Sequence, residues 1–237
     1  MRGLGFYYYD YTYFIYVIPA LIITMIAQIR VKSAFHKYSQ IATMKNLTGA
    51  QAADAVARYG GAYGVMVRCI PGELSDNYDP RSNTISLSGD VYSASTIAAV
   101  GVAAHEAGHA IQHAKDFLPN KIRTALVPIT NIGSNLAIPI VIIGLILPPQ
   151  YDFVVNFGII LYSLAVLFQL VTLPVEFDAS RRAIKALDET GILYPDELEG
   201  AKKVLTAAAM TYLAASFAAI LNLLRLLALA GNRRGRD

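Results

Sequence analysis

The chain has 237 residues, 55% hydrophobic and only 16% charged, with a formal net charge of +3 and a mean hydropathy of +0.43. A soluble domain carries about 25% charged residues, so a deficit gathered into long apolar runs marks an integral membrane protein. The small net charge gives no argument for nucleic acid, and the single cysteine, Cys69, excludes an internal disulfide and a cysteine-based zinc site.

Residues 11–29 form the first run able to cross a hydrocarbon core, which needs about 20 residues. The preceding Phe6-Tyr7-Tyr8-Tyr9-Asp10 is aromatic and acidic, unlike the basic start of a signal peptide, so the run reads as an uncleaved anchor. Thr48 and Gln51 have capping-box spacing for a short helix that ends at Gly60-Gly61. Residues 64–70 and 83–88 read as strands, with residues 76–80 a loop between them. A helix follows over residues 95–113, capped by Ser93 or Ser95. Residues 129–147 make a second span despite Asn131, Asn135 and Pro139. Pro148 to Asp152 turn the chain into a third span, residues 153–173. Residues 176–203 are a polar helical piece, and residues 207–230 an Ala-rich fourth span carrying Asn222 and Arg225.

The 95–113 helix contains His105-Glu106-Ala107-Gly108-His109, an H-E-x-x-H string. Histidines four apart share a helix face, so both imidazoles can reach one ion. Glu106 can take a proton from water held there and pass it to the leaving amine. A catalytic zinc keeps three protein ligands and one open position, so one ligand is missing from the string. His113 lies about 12 Å along the axis from His105, too far to share an ion. Position 115, where a metzincin would carry its third histidine, is Lys115. A carboxylate is left. The hairpin of the second and third spans returns the chain to the same membrane face and brings Glu176 and Asp178 near the motif helix. They point about 200° apart on a helix, so only one can ligate, and Glu176 is preferred. Ala103, Ala104, Ala107, Gly108 and Ala110 leave room for a second helix to pack closely. Strand 83–88 reads as an edge strand on which an extended peptide adds by backbone pairing, with Asn83, Ile85 and Leu87 as substrate-binding residues. Tyr212, Tyr78 and Arg182 are unranked candidates for the oxyanion donor.

Basic residues set the orientation. Arg30, Lys32, Lys37 and Lys45 follow the first span, and Arg181, Arg182, Lys185, Lys202 and Lys203 follow the third. The 148–152 turn has none, so both polar segments are expected in the cytoplasm. Arg233, Arg234 and Arg236 would then fall outside, against the rule at that end. The chain divides into an N-terminal membrane anchor (1–31), a cytoplasm-facing zincin part (32–128), a transmembrane hairpin (129–174), a third-ligand helical segment (175–205) and a C-terminal hydrophobic helix with a basic tail (206–237). The expected fold class is a mainly α membrane protein: about four hydrophobic helices plus a small α+β zincin-like catalytic part with a short strand pair.

Several stretches together carry a family resemblance: Leu74-Ser75-Asp76 with Tyr78-Asp79-Pro80-Arg81, Ile85-Ser86-Leu87-Ser88, Val102 through Gln112, Leu173 through Ser180, and Gly200-Ala201-Lys202-Lys203-Val204-Leu205. They resemble the bacterial YugP family of membrane zinc metallopeptidases over nearly the whole chain. That family is similar to the gluzincin membrane proteases of the HtpX type, whose third ligand is a glutamate in a Glu-aromatic-x-Ala-Asp context. The resemblance implies one Zn2+ per chain on His105, His109 and Glu176, with Glu106 as the catalytic base. Ser180 stands where that context has Asp, so Asp178 and Ser180 are the candidates for orienting a ligand from behind. Asn77 stands where the YugP pattern has a histidine. The resemblance implies a peptidase and names no substrate; the expected activity is hydrolysis of peptide bonds in membrane-associated or misfolded proteins by an integral-membrane zinc endopeptidase. Its partners would be a polypeptide and the lipid bilayer, and no nucleic acid. Its place would be the bacterial inner (plasma) membrane, multi-pass, with the active site facing the cytoplasm. The alternatives are an intramembrane site-2-type metalloprotease and a non-catalytic membrane scaffold with a residual zinc site. The modest apolarity of residues 90–104 disfavours the first, and the intact ligands and base disfavour the second.

Overall fold

A computed structural model describes residues 11–72 and 75–234. Phe6 to Asp10, Leu74 and Arg236, all used above, lie outside the described residues. A π-helical turn, Tyr13–Val17, leads into α1 (Ile18–Ser39). Then come α2 (Gly49–Tyr59), β1 (Met66–Ile70), β2 (Asn77–Asp79), β3 (Thr84–Ser88), α3 (Gly89–Tyr92), α4 (Ile97–Ala114), α5 (Leu118–Ile146), α6 (Asp152–Glu189) and α7 (Pro195–Arg234). Four helical segments are long and apolar enough to cross a membrane: Tyr13–Ser39, Leu118–Ile146, Pro149–Glu189 and Pro195–Gly231. The protein is a mainly α membrane protein.

α5, α6 and α7 each run longer than the sequence suggests. Pro128 and Pro139 sit inside α5, and Pro174 sits inside α6 without ending it. The third span and the first half of the 176–203 piece are therefore one continuous helix. Prolines are tolerated in such helices because neighbouring groups re-satisfy the freed backbone. The chain reverses between α6 and α7 at Gly191, whose φ of +62° suits a residue without a Cβ.

The chain clusters into two compact units. One comprises the described parts of residues 1–25, 128–167 and 214–237. Its buried cluster is Val141, Val155, Ile159 and Leu226. A Cβ on Gly144 would stand 2.7 Å from the Val155 backbone nitrogen, and one on Gly158 would stand 3.0 Å from the Ala137 carbonyl oxygen. Small residues of this kind let apolar helices pack by close approach when lipid removes the hydrophobic drive between them. Ile132, Ile142, Ile143, Phe153, Phe157 and Ile160 face outward, as residues bathed by acyl chains would.

The other unit, residues 26–127 and 168–213, holds the larger core. Thr48 caps α2 by a full capping box: its hydroxyl accepts from the Gln51 amide, and the Gln51 side chain accepts from the Thr48 amide. α2 packs on α4 through Ala52, Ala53, Val56 and Ala57. Thr96, rather than Ser93 or Ser95, caps α4, its hydroxyl accepting from the Ala99 amide at 3.3 Å. The Ser95 carbonyl instead accepts from the Thr43 amide at 2.7 Å.

The sheet corrects the expected strand pair. Among the described residues it has three strands in the order β1-β3-β2. β1 runs parallel to β3, and β2 runs antiparallel to it, with Tyr78 opposite Ile85. Residues 77–79, expected in a loop, are strand β2. β3 is therefore central, and all five of its residues are buried. Its polar side chains look solvent-facing in the sequence but find partners in the fold. Ser86 accepts from Arg68 Nε at 2.9 Å, and Ser88 donates to Asp76.

Candidate metal centre

His105 and His109 stand one turn apart on α4, ring centroids 4.8 Å apart and nearly perpendicular. α6 meets α4 at Gly108. A Cβ there would sit 2.4 Å from the Ala179 carbonyl oxygen, so no other residue permits this approach. Glu176, one turn earlier on α6, is thereby brought against the histidines. Its Oε2 lies 3.2 Å from His105 Nε2 and 3.5 Å from His109 Nε2. The three donor atoms lie within 4.8 Å of one another, and Glu176 and His109 are buried. A tetrahedral zinc with ligand bonds of about 2.1 Å sets its donors roughly 3.4 Å apart. The two spacings from Glu176 match that requirement, and all three donors lie within 4.8 Å, so these residues could hold such an ion.

A second layer fixes each ligand. Gln112 is fully buried, and its amide nitrogen donates to the Val175 carbonyl at 2.7 Å and to Asp178 Oδ2 at 3.0 Å. Both partners only accept, so the amide oxygen must face His109 Nδ1, 3.1 Å away. His109 then carries its hydrogen on Nδ1 and keeps the Nε2 lone pair free for a metal. His105 Nδ1 lies 3.1 Å from Ser180 Oγ, a hydroxyl able to accept its hydrogen or to donate one. Asp178 is held from its far side by Arg181 and Arg182. Asp178 is not in the donor cluster. Arg123 of α5 takes the other carboxylate oxygen of Glu176, Nη1 to Oε1 at 3.2 Å. One oxygen is thus paired with a cation and the other left to the imidazoles.

Glu106 lies beside this cluster. Burial pushes its carboxyl up to about 7, with nearby His105 opposing the rise. Two cavities adjoin it. One, of about 620 Å3, has His105, Val31, Phe35, Val102 and Leu205 in its wall. The other, of about 300 Å3, has His109, Glu176, Arg123, Asn120 and Asn77. Asp76, Glu106 and Tyr212 line both.

The remaining sequence candidates fall elsewhere. His113 is absent from the donor cluster, and its Nδ1 lies 2.9 Å from the Tyr78 hydroxyl. That hydroxyl also donates to Asn83 Oδ1 at 2.9 Å, and burial, with Asp79 beside it, raises its pKa to about 12. Arg182 is occupied by Asp178. Of the three oxyanion candidates, Tyr212 is the one beside Glu106 in both cavities. The expectation that residues 83–88 form a substrate-binding edge is overturned, because β3 is paired on both sides. Ile85 and Leu87 have no exposed surface, and Asn83 is tied to Tyr78 and to the Gly64 carbonyl. Sequence reasoning missed Gln112 and Arg123. The three-residue step from His109 to Gln112 on one helix was a usable signal; nothing local marks Arg123.

Fold and site together describe a helical membrane protein with a two-histidine, one-glutamate donor set of the metallopeptidase kind. The family described as "Putative neutral zinc metallopeptidase" matches residues 13–231. The chain is also 40% identical, over 220 residues, to a Bacillus subtilis (strain 168) protein described as "Putative membrane protease YugP", covering 93% of this chain and 96% of that one. The chain belongs to this family. No solved structure matches it.

Proposed function

We propose that this protein is a zinc-dependent endopeptidase of the bacterial inner membrane, with its site facing the cytoplasm, acting on membrane-associated or misfolded polypeptides. The observation that carries the reading is the meeting of His105, His109 and Glu176 within 4.8 Å, with Glu106 in the adjoining cavity walls. Bound there, zinc would supply Lewis-acid polarisation of the scissile carbonyl and acidify water at the site. Glu106 would take the proton of the attacking water and return it to the leaving nitrogen. Tyr212 would offer its hydroxyl to the carbonyl oxygen. Gln112 and Ser180 would hold the imidazole tautomers, and Arg123 would hold the Glu176 carboxylate. β2 pairs only with β3 among the described residues. Its free edge therefore takes over the peptide-pairing role expected of residues 83–88.

The helix carrying His105, Glu106 and His109, α4, is not among the four membrane-spanning candidates, and Glu176 lies in the polar last third of the α6 candidate. This supports a site outside the hydrocarbon core over an intramembrane one. The basic residues after the first and third spans support the cytoplasmic side. Glu106→Gln tests the reading. Peptide cleavage by the purified protein should fall at least about 100-fold while zinc content stays the same. Cleavage that persists in the variant would reject Glu106 as the base.

A further inference from the structure

The two cavities at the centre differ in chemistry, and Glu106 stands where they adjoin. His105 belongs to one, His109 and Glu176 to the other. A peptide bond held at Glu106 therefore has one flank in each. The 620 Å3 cavity has an apolar wall of Val31 and Phe35 of α1, Val102 of α4, and Val204, Leu205 and Ala208 of α7, with the polar Gln28, Lys32, Ser88, Asp90 and Thr211 also lining it. The 300 Å3 cavity presents Asn77, Arg81, Asn120, Arg123 and Thr124.

Their places along the chain differ as well. The α1 and α7 residues of the apolar wall lie in two membrane-spanning candidates, Tyr13–Ser39 and Pro195–Gly231, toward the ends that adjoin the polar part of the sequence. The polar cavity is built from β2, the turn after it and the first turns of α5. An apolar wall carried largely by two membrane-spanning candidates and a polar one on the catalytic part ask for a chain with the same division. The volume of the apolar cavity is in the range that accepts a whole small ligand, so it admits more than one side chain.

Building on the peptidase reading above, we propose that the substrate is a membrane-inserted polypeptide cut at the end of its apolar segment. Bulky apolar residues on one side of the scissile bond fill the α1–α4–α7 cavity. Polar residues on the other side lie along β2 and Arg123. A wholly polar loop would leave the apolar wall wet. A bond in the middle of a membrane span would force apolar residues against Arg81, Arg123 and the asparagines. Both are disfavoured, and the apolar–polar boundary itself is what the site selects.

The test uses the full chain in liposomes with single-span reporter polypeptides whose apolar block is lengthened in three-residue steps. Cut positions are mapped by mass spectrometry, with Glu106→Gln as the background. The cut is expected to move in step with the boundary and to keep Leu, Ile, Phe or Met on one constant side. Replacing those residues by Ala should slow cleavage by about tenfold or more. Ala208→Phe, which fills the cavity, should reverse that preference. Val102→Ala, which widens it, should favour Phe over Leu, and the native profile decides should neither variant fold. A cut fixed to one sequence, or placed inside the apolar block, overturns this substrate assignment and leaves the peptidase reading intact. So does an apolar cavity filled by a lipid acyl chain that reporter peptides cannot displace. No cleavage above the Glu106→Gln background overturns both.

Discussion

Gln112→Met removes the link that fixes His109, and its cost can be worked from the contacts. The thioether matches the amide in length but offers no hydrogen to the Val175 carbonyl or Asp178 and no strong acceptor to His109 Nδ1. The Val175 carbonyl keeps its partner within α6, and Asp178 keeps Arg181 and Arg182. The His109 N–H alone is orphaned, and a buried unsatisfied donor costs about 1–3 kcal/mol. The imidazole is then free to adopt the other tautomer, which places hydrogen on the nitrogen that faces Glu176. Loss of such an outer partner weakens metal binding about 10- to 100-fold. Chelator competition on the purified protein measures that affinity, and thermal unfolding measures the fold. Gln112→Glu separates the two effects: it keeps an oxygen toward His109 but sets a carboxylate against Asp178, so it should destabilise the fold more than it weakens metal binding. Native zinc affinity in Gln112→Met would refute the tautomer argument.

Other substitutions test neighbouring parts of the account. Gly108→Ala should separate α4 from α6, because its methyl would meet the Ala179 carbonyl oxygen at 2.4 Å. An overpacking cost of about 1–3 kcal/mol should appear as a lower melting temperature together with weaker zinc binding. His113→Ala should leave zinc content unchanged in elemental analysis, since His113 is not in the donor cluster. Thr48→Ala should break the α2 capping box and cost about 1 kcal/mol, read as faster hydrogen exchange in α2 with no change in zinc affinity.

Much of the centre was legible because helical periodicity is a local signal. His105, Glu106 and His109 need only four residues of spacing to be read as one face. Glu176 was reachable because a span hairpin returns the chain to its starting side, and because Gly108 and the flanking alanines announced a close helix contact. Arg123 was not legible in this way, since it acts on Glu176, distant in sequence, whereas Gln112 was overlooked although it stands three residues from His109 on one helix. The sheet misled for a physical reason. Asn77-Tyr78-Asp79 is a three-residue strand flanked by turn formers, so its pairing comes from β3 rather than from its own propensity. Thr84, Ser86 and Ser88 alternate with apolar residues as a half-exposed strand would, yet Arg68 and Asp76 cover them. The lengths of α6 and α7 were hidden because Pro174 and the polar 176–203 composition look like boundaries in water.

Zinc stoichiometry tests the central claim most directly. Elemental analysis of the purified native protein beside Glu176→Ala should find about one zinc per chain in the first and little or none in the second. No zinc in the native protein after reconstitution, or zinc fully retained in Glu176→Ala, would contradict it.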